Sequence, residues 1–254
     1  MVSLESFGGN SSRNLVLIPA RLPSTRLPNK PLAMIGPEPM IVHVWRRAVA
    51  AGVGPVVVAC AEPAIERAIL QAGGQAVLTD PALPSGTDRI HAALQALDPE
   101  HRFERVINLQ GDMPTIDPKC LEDVLEPLDR LDVDIATLAN ATDDPRERTD
   151  PNTVKAVVSF ATEDLGRALY FTRAPAPWGD GPVFHHIGIY AFTRAALDRF
   201  AALPPSPLER REKLEQLRAL ENGMRIGVKL VKAVPFGVDT PADLEKARKI
   251  LGHG

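Results

Sequence analysis

Short apolar runs alternating with segments of helical spacing leave this chain few folds to choose from. Leu15 to Pro19, Pro55 to Cys60, Gln75 to Thr79 and Arg105 to Leu109 have strand length, whereas Met40 to Ala51, Pro63 to Ala72 and Thr87 to Leu97 repeat their apolar residues with a helical period. Pro55-Val-Val-Val-Ala-Cys60 is apolar throughout and rich in β-branched residues, the pattern of a strand covered on both faces. Gly52 and Gly73-Gly74 stand where the first two helices should stop. A helix from Pro118 to Arg130 and a strand from Val133 to Asn140 continue the series. Such a βαβ succession predicts an open, mostly parallel α/β sheet with helices on both faces.

The second half reads differently. Thr153 to Phe160, Arg167 to Thr172 and His186 to Phe192 have strand character with little helix between them, so an inserted antiparallel lobe is expected at about 150–195. A long helix from Pro207 to Glu221, a hairpin-like pair from Met224 to Val234 and a helix from Pro241 to Leu251 complete the chain. The expectation is one domain from 14 to 254 behind a disordered tail at 1–13.

Where a ligand would bind follows from the sheet, because open α/β sheets bind at the carboxyl ends of their strands. Just after the first run comes Ile-Pro-Ala-Arg-Leu-Pro-Ser-Thr-Arg-Leu-Pro-Asn-Lys-Pro-Leu, Ile18 to Leu32, with Arg21, Arg26 and Lys30 and no acid among them. Its prolines limit backbone freedom, so its cations lose less entropy on closing around a phosphate chain. The chain as a whole is not basic: 29 Lys and Arg against 32 Asp and Glu give a net charge of −3. That balance offers no broad attraction to nucleic acid or an anionic membrane, so positive charge must act locally. No segment is long and apolar enough to span a bilayer, the first residues lack the core of a signal peptide, and Cys60 and Cys120 read as buried free thiols. A cytoplasmic enzyme is expected.

Other candidates keep two readings. After the fourth run, Gln110-Gly-Asp112 is either a tight turn or a place where Gly111 permits close approach and Asp112 offers a hard oxygen to Mg²⁺. Ser85-Gly-Thr-Asp-Arg89 reads as a helix start with Thr87 as N-cap. Asp132-Val-Asp134 reads as a solvated turn, and His185-His186 as a polar contact or a satisfied core pair. Gly52-Val53-Gly54 precedes a strand, so it is no dinucleotide fingerprint.

Taken in order, Pro19-Ala-Arg21 through Ser24-Thr-Arg-Leu-Pro28 to Lys30-Pro-Leu32, Pro39-Met-Ile-Val-His-Val44, Ser85-Gly-Thr87, Gln110-Gly-Asp112, Leu169-Tyr-Phe-x-Arg173, His186-x-Gly-Ile-Tyr190, Ser206-Pro-Leu-Glu209, Leu214-Glu-Gln-Leu-Arg218 and Gly237-Val-Asp-Thr-Pro241 resemble the 3-deoxy-manno-octulosonate (Kdo) cytidylyltransferase family. The resemblance runs from about Leu15 to Leu251. It implies a Rossmann-like nucleotidyltransferase sheet and transfer of CMP from CTP to Kdo, with Mg²⁺, for lipopolysaccharide synthesis by a homodimer. It also implies roles. Arg21 and Lys30 match the family's triphosphate clamp, with Ser24, Thr25 and Arg26 in the same loop; Ser85 and Gln110 match nucleotide positions, and Asp112 and Asp239 metal positions. Arg173, His186, Tyr190, Glu215 and Gln216 match residues around the sugar.

Two departures stand out. Met113 replaces the Glu of the family's Gln-Gly-Asp-Glu-Pro, and the segment between Trp178 and His185 is short. They keep open a related acceptor, a sialic-type or amino-substituted keto-acid. From another class, a nucleotide-binding regulator without catalysis also stays open. Cytosine is expected over uracil, because a pocket of fixed groups near Ser85 would leave partners unpaired with the wrong base.

Overall fold

A computed structural model describes residues 13–24, 26–232 and 235–252. The tail expected at 1–13 lies outside them except for Arg13, and so does Thr25. No helix of the described residues is long and apolar enough to cross a membrane.

In chain order the first elements are β1 (Asn14–Ala20), a 3-10 turn (Lys30–Leu32), the short pair β2 (Met34–Ile35) and β3 (Glu38–Pro39), α1 (Met40–Ala51), β4 (Val56–Cys60), α2 (Pro63–Gln71), β5 (Gln75–Leu78), α3 (Gly86–Leu97), β6 (Arg105–Asn108) and α4 (Lys119–Asp123). Then come α5 (Glu126–Arg130), β7 (Ile135–Thr142), α6 (Pro145–Thr149), β8 (Lys155–Phe160), β9 (Leu165–Thr172), β10 (Val183–Thr193), α7 (Arg194–Ala202), α8 (Pro207–Glu212), α9 (Leu217–Glu221), β11 (Ile226–Leu230) and α10 (Pro241–Ile250).

The chain forms two compact units. Unit 1 joins Met1–Leu121 to the returning Pro235–Gly254, and unit 2 is Glu122–Val234. The lobe expected at about 150–195 thus falls within a larger continuous unit.

Unit 1 is the parallel sheet read from the sequence, in the order β5-β4-β1-β6, with every pair parallel. All of β4 is buried, as its unbroken apolar run requires. Gly52 ends α1 with φ of 66°, a conformation open to a residue without Cβ. A core cluster of Leu27, Ile35, Met40, Val238, Leu244 and Ala247 fastens the proline-rich loop to the returning C-terminal segment.

Unit 2 is mixed rather than mostly parallel. β7 runs parallel to β11, while β10 against β7, β11 against β9 and β8 against β9 are antiparallel. Because β8 also pairs with β10, the hydrogen bonds run in a closed circuit and the sheet of this unit is not open. β10 slips register against β7 between Ile187 and Tyr190.

Several expected elements differ. The helix from Pro118 to Arg130 is two short helices, because Pro127 lacks the amide that would continue the first one. The helix from Pro207 to Glu221 breaks at Lys213, which adopts a left-handed φ of 56°. The hairpin-like pair from Met224 is the single strand β11 among the described residues, with Ala233 and Val234 outside them. Helices α6 and α7 fall in segments where no element was expected from the sequence.

Candidate active site

The proline-rich loop leaves the carboxyl end of β1 and forms one wall of a cavity of about 780 Å³ in unit 1. Arg21, Ser24, Arg26, Lys30, Ser85, Gln110, Asp112 and Asp239 all line it. Residues spread over the length of the sequence therefore meet where the parallel sheet predicts a ligand.

Lys30 is the hinge of the charge arrangement. Its Nζ donates to Asp112 Oδ2 at 2.7 Å and to Asp239 Oδ1 at 3.0 Å, and Arg26 pairs with Asp239 Oδ2 at 2.9 Å. Burial works against the lysine's charge, yet Asp112 and Asp239 outweigh it and raise its pKa above the ordinary value. The loop read as free of acids is thus neutralised from β6 and the C-terminal return. Backbone contacts fix this meeting, since Val238 N donates to Asp112 O at 2.8 Å and Val238 sits in the core cluster.

Glycine lets the strand ends close. A Cβ on Gly111 would lie 2.8 Å from Pro19 O, so the approach is open only to glycine. Ser85, not Thr87, is the N-cap of α3: its Oγ accepts from Asp88 N at 3.0 Å and donates to Asp88 Oδ2 at 2.7 Å. Thr87 lies one residue inside the first turn and is buried. Gln110 Nε2 donates to Asn108 Oδ1 at 3.2 Å, which leaves Oε1 as an acceptor.

Arg89 is a cavity residue that sequence reasoning passed over as part of a helix start. Only 1% exposed, it donates from Nη1 to Thr79 Oγ1 at 2.5 Å and to Asp80 O at 3.2 Å, and its Nη2 has no partner among the described residues. Burial lowers its pKa. Its position four residues after the cap was the available signal, because i and i+4 share a helix face.

Asp112 and Asp239 are held to a common cation, the Lys30 ammonium, so both carboxylates reach one point. Among the described residues no cluster of three or more His, Cys, Asp or Glu could hold a metal by itself. Two carboxylates beside a loop that carries Arg21, Arg26 and Lys30 fit Mg²⁺, which takes few protein ligands and completes its shell with phosphate and water.

The residues matched to the sugar lie in unit 2. His186 and Tyr190 pack with ring centroids 5.5 Å apart, and Phe171 lies 4.9 Å from His186. Burial pushes the Tyr190 hydroxyl up, with Glu215 adding to the effect, and burial pushes the His186 imidazole down to about 3. Glu215 and Gln216 sit in the break between α8 and α9 rather than on a helix, and Gln216 Nε2 is buried without a partner among the described residues. Arg173 is already engaged: Nε donates to Glu212 O at 2.8 Å and Nη1 to Pro151 O at 2.9 Å, leaving Nη2 without a bond among the described residues. Beneath it, the wholly buried Lys155 donates to the carbonyls of Asp150, Thr153 and Arg173 at 2.9, 2.6 and 2.8 Å.

The remaining motifs have plain structural roles. Asp132 and Asp134 bond Arg225 at a turn, Cys60 and Cys120 are buried and in no disulfide, and Met113 is a buried core residue. Trp178, before the short segment, is fully exposed.

Comparison with known proteins shows the family to which the chain belongs. Residues 15–226 match the family model described as "Cytidylyltransferase". The chain is 62% identical over 239 residues to 3-deoxy-manno-octulosonate cytidylyltransferase of Parvibaculum lavamentivorans, covering 94% of this chain and 93% of that protein. It is 63% identical to the protein of the same name from Rhodopseudomonas palustris, covering 94% and 98%. A solved structure of CMP:2-keto-3-deoxy-manno-octonic acid synthetase complexed with CTP superposes with a TM-score of 0.87 at 40% identity, over 94% of this chain and 98% of that one. A cytidylyltransferase from Leptospira borgpetersenii, at TM-score 0.62 and 18% identity over 95% of this chain and 87% of that one, shares the fold.

Proposed function

The chain belongs to the 3-deoxy-manno-octulosonate cytidylyltransferase family, and on that premise we propose that the unit 1 cavity takes CTP and that the unit 2 residues take Kdo. The reaction is CTP plus Kdo to CMP-Kdo and pyrophosphate. The observation that carries the reading is the convergence of Arg21, Lys30, Asp112 and Asp239 on one cavity at the strand ends.

Arg21 can fork onto phosphate oxygens while Lys30 supplies a point charge. Both stabilise charge that grows on the leaving pyrophosphate. Asp112 and Asp239 would hold Mg²⁺, which when bound lowers the pKa of the attacking hydroxyl and screens the phosphates. The anomeric hydroxyl attacks the α-phosphorus, the bond to the bridging oxygen breaks, and no covalent enzyme intermediate is needed. Gln110, held by its Nε2 bond to Asn108, presents Oε1 as an acceptor, which supports cytosine, whose amino group donates where uracil has an oxygen. On the sugar side, Arg173 Nη2 is available to the carboxylate.

The test is pyrophosphate release on mixing the protein with CTP, Kdo and Mg²⁺. Release with Kdo, and slower release with UTP or with a sialic-type or amino-substituted keto-acid, is expected. Faster turnover of another sugar would reject Kdo, and CTP binding with no release would make the protein a regulator. We assign it also to the cytoplasm, to lipopolysaccharide synthesis and to a homodimer. Exposed Leu169 and Trp178 in unit 2 support the dimer, and a monomer in sedimentation at micromolar concentration would overturn it.

A further inference from the structure

Thr137, in β7, has one hydroxyl facing three partners. Its Oγ1 lies 3.1 Å from Ile187 O, 2.8 Å from Ile189 O and 3.0 Å from His186 Nε2. The crowding has a cause: β10 slips register against β7 between Ile187 and Tyr190, and a bulge takes carbonyls out of the ladder. Thr137 is fully buried, so bulk water cannot serve those carbonyls there.

A hydroxyl has one proton to give, and a carbonyl oxygen can only accept. The Thr137 proton must therefore lie toward Ile187 O and Ile189 O, because pointing it at His186 would leave oxygen facing oxygen at two short distances with nothing between. What Oγ1 turns to His186 is a lone pair, so Nε2 must be the donor. A neutral imidazole has one N–H, and its other nitrogen is then an acceptor. His186 is kept neutral by burial and by His185. Its Nδ1 makes no hydrogen bond among the described residues, and the residue keeps part of its surface open.

We propose that Thr137 is a positioning residue that locks His186 in the Nε2–H tautomer, so that Nδ1 is offered as a hydrogen-bond acceptor to a hydroxyl of the keto-acid sugar. The proposal rests on the reading of His186 as a sugar contact. It carries a specificity: the site favours a sugar that donates at that point and disfavours one whose hydroxyl there is removed or methylated.

Ring ¹⁵N spectra of His186 in the ligand-free protein test the first half without any sugar. The expected pattern is protonated Nε2 and bare Nδ1, and the reverse pattern overturns the proposal. Kinetics test the second half. Thr137→Val is expected to mix the tautomers and raise KM for Kdo by about tenfold or more while KM for CTP changes little, and Thr137→Ser, which keeps the hydroxyl, should restore both. Loss of stability in Thr137→Val with an unchanged tautomer and unchanged Kdo KM would reduce Thr137 to a plug for the bulge and overturn the proposal. His186→Ala separates the two readings. If it leaves Kdo KM unaltered although the wild-type tautomer is Nε2–H, the sugar assignment of His186 has failed; if it raises Kdo KM and Thr137→Val does not, the positioning role has failed.

Discussion

At the scale of single residues, Asp239 has two readings, because it stands just before a helix and beside a lysine. The structure divides the labour: Thr240 is the N-cap of α10, with its side chain accepting from Asp243 N and Asp243 reaching back, while Asp239 turns its carboxylate to Lys30 and Arg26. Asp239→Asn should therefore leave the cap intact and change stability by no more than about 0.5 kcal/mol, the range of an exposed substitution. Its turnover should fall by about a hundredfold or more, close to 3 kcal/mol of transition-state stabilisation at ~1.4 kcal/mol per decade. Asp112→Asn should match it in rate. Melting temperature and Mg²⁺-dependent turnover measured on the same samples check both, and normal turnover of Asp239→Asn at saturating Mg²⁺ would leave Asp112 alone to hold the ion.

At the scale of elements, β8 shows how a strand can place a ligand group it does not contain. Lys155 gives all three of its ammonium protons to carbonyls, tying Asp150 and Thr153 to Arg173 at the end of β9. Burial lowers its pKa although the Asp150 and Glu212 carboxylates oppose the fall, and the three oxygens it bonds are neutral carbonyls. Lys155→Met keeps the volume but leaves three carbonyls without a donor, so a stability loss of about 2–3 kcal/mol is expected. Because Arg173 O is one of them, KM for Kdo should rise as well, and denaturant melts with sugar kinetics check the pair. Lys155 also marks where the sequence stops being legible. In unit 1 the longer strands announce themselves by apolar runs, and α1 and α2 by their period and glycine stops, so β1, β4, β5, β6 and α1 lie within a residue or two of expectation, while the two-residue strands β2 and β3 gave no signal. In unit 2 the signals are tertiary. Nothing local in Lys213 forecasts its left-handed turn, and that turn takes Glu215 and Gln216 off a helix into a loop. Likewise the cavity residues carried by the resemblance were legible, but the contact between Lys30 and two distant aspartates was not, since it depends on the C-terminal segment returning to the core of Leu27 and Ile35.

At the scale of the whole molecule, stability against acid should fall in two separate windows. His186 is held neutral with a folded value of about 3 against an ordinary 6.5, and burial lowers His185 too. Between those limits the unfolded chain binds protons that the native protein refuses, so stability rises with pH there and is lost as pH falls below about 6.5, by roughly 1 kcal/mol per pH unit for each histidine fully neutral in the fold. The carboxylates act later. Burial opposes ionisation of Glu209 and Asp243, but Arg218 holds Glu209 low and Thr240 holds Asp243 low. Groups depressed in this way contribute above their unfolded value and lose that contribution only as pH falls below about 4.5. Unfolding free energy measured from about pH 7 down to pH 4.5 should therefore slope before any acid of this kind titrates. His186→Gln removes one titrating group and should flatten the slope in that upper window while leaving the lower one as steep. An unchanged upper slope would mean that His186 takes up its proton in the native state, and the aromatic packing of Phe171 and Tyr190 around it would then be solvating a cation rather than excluding one.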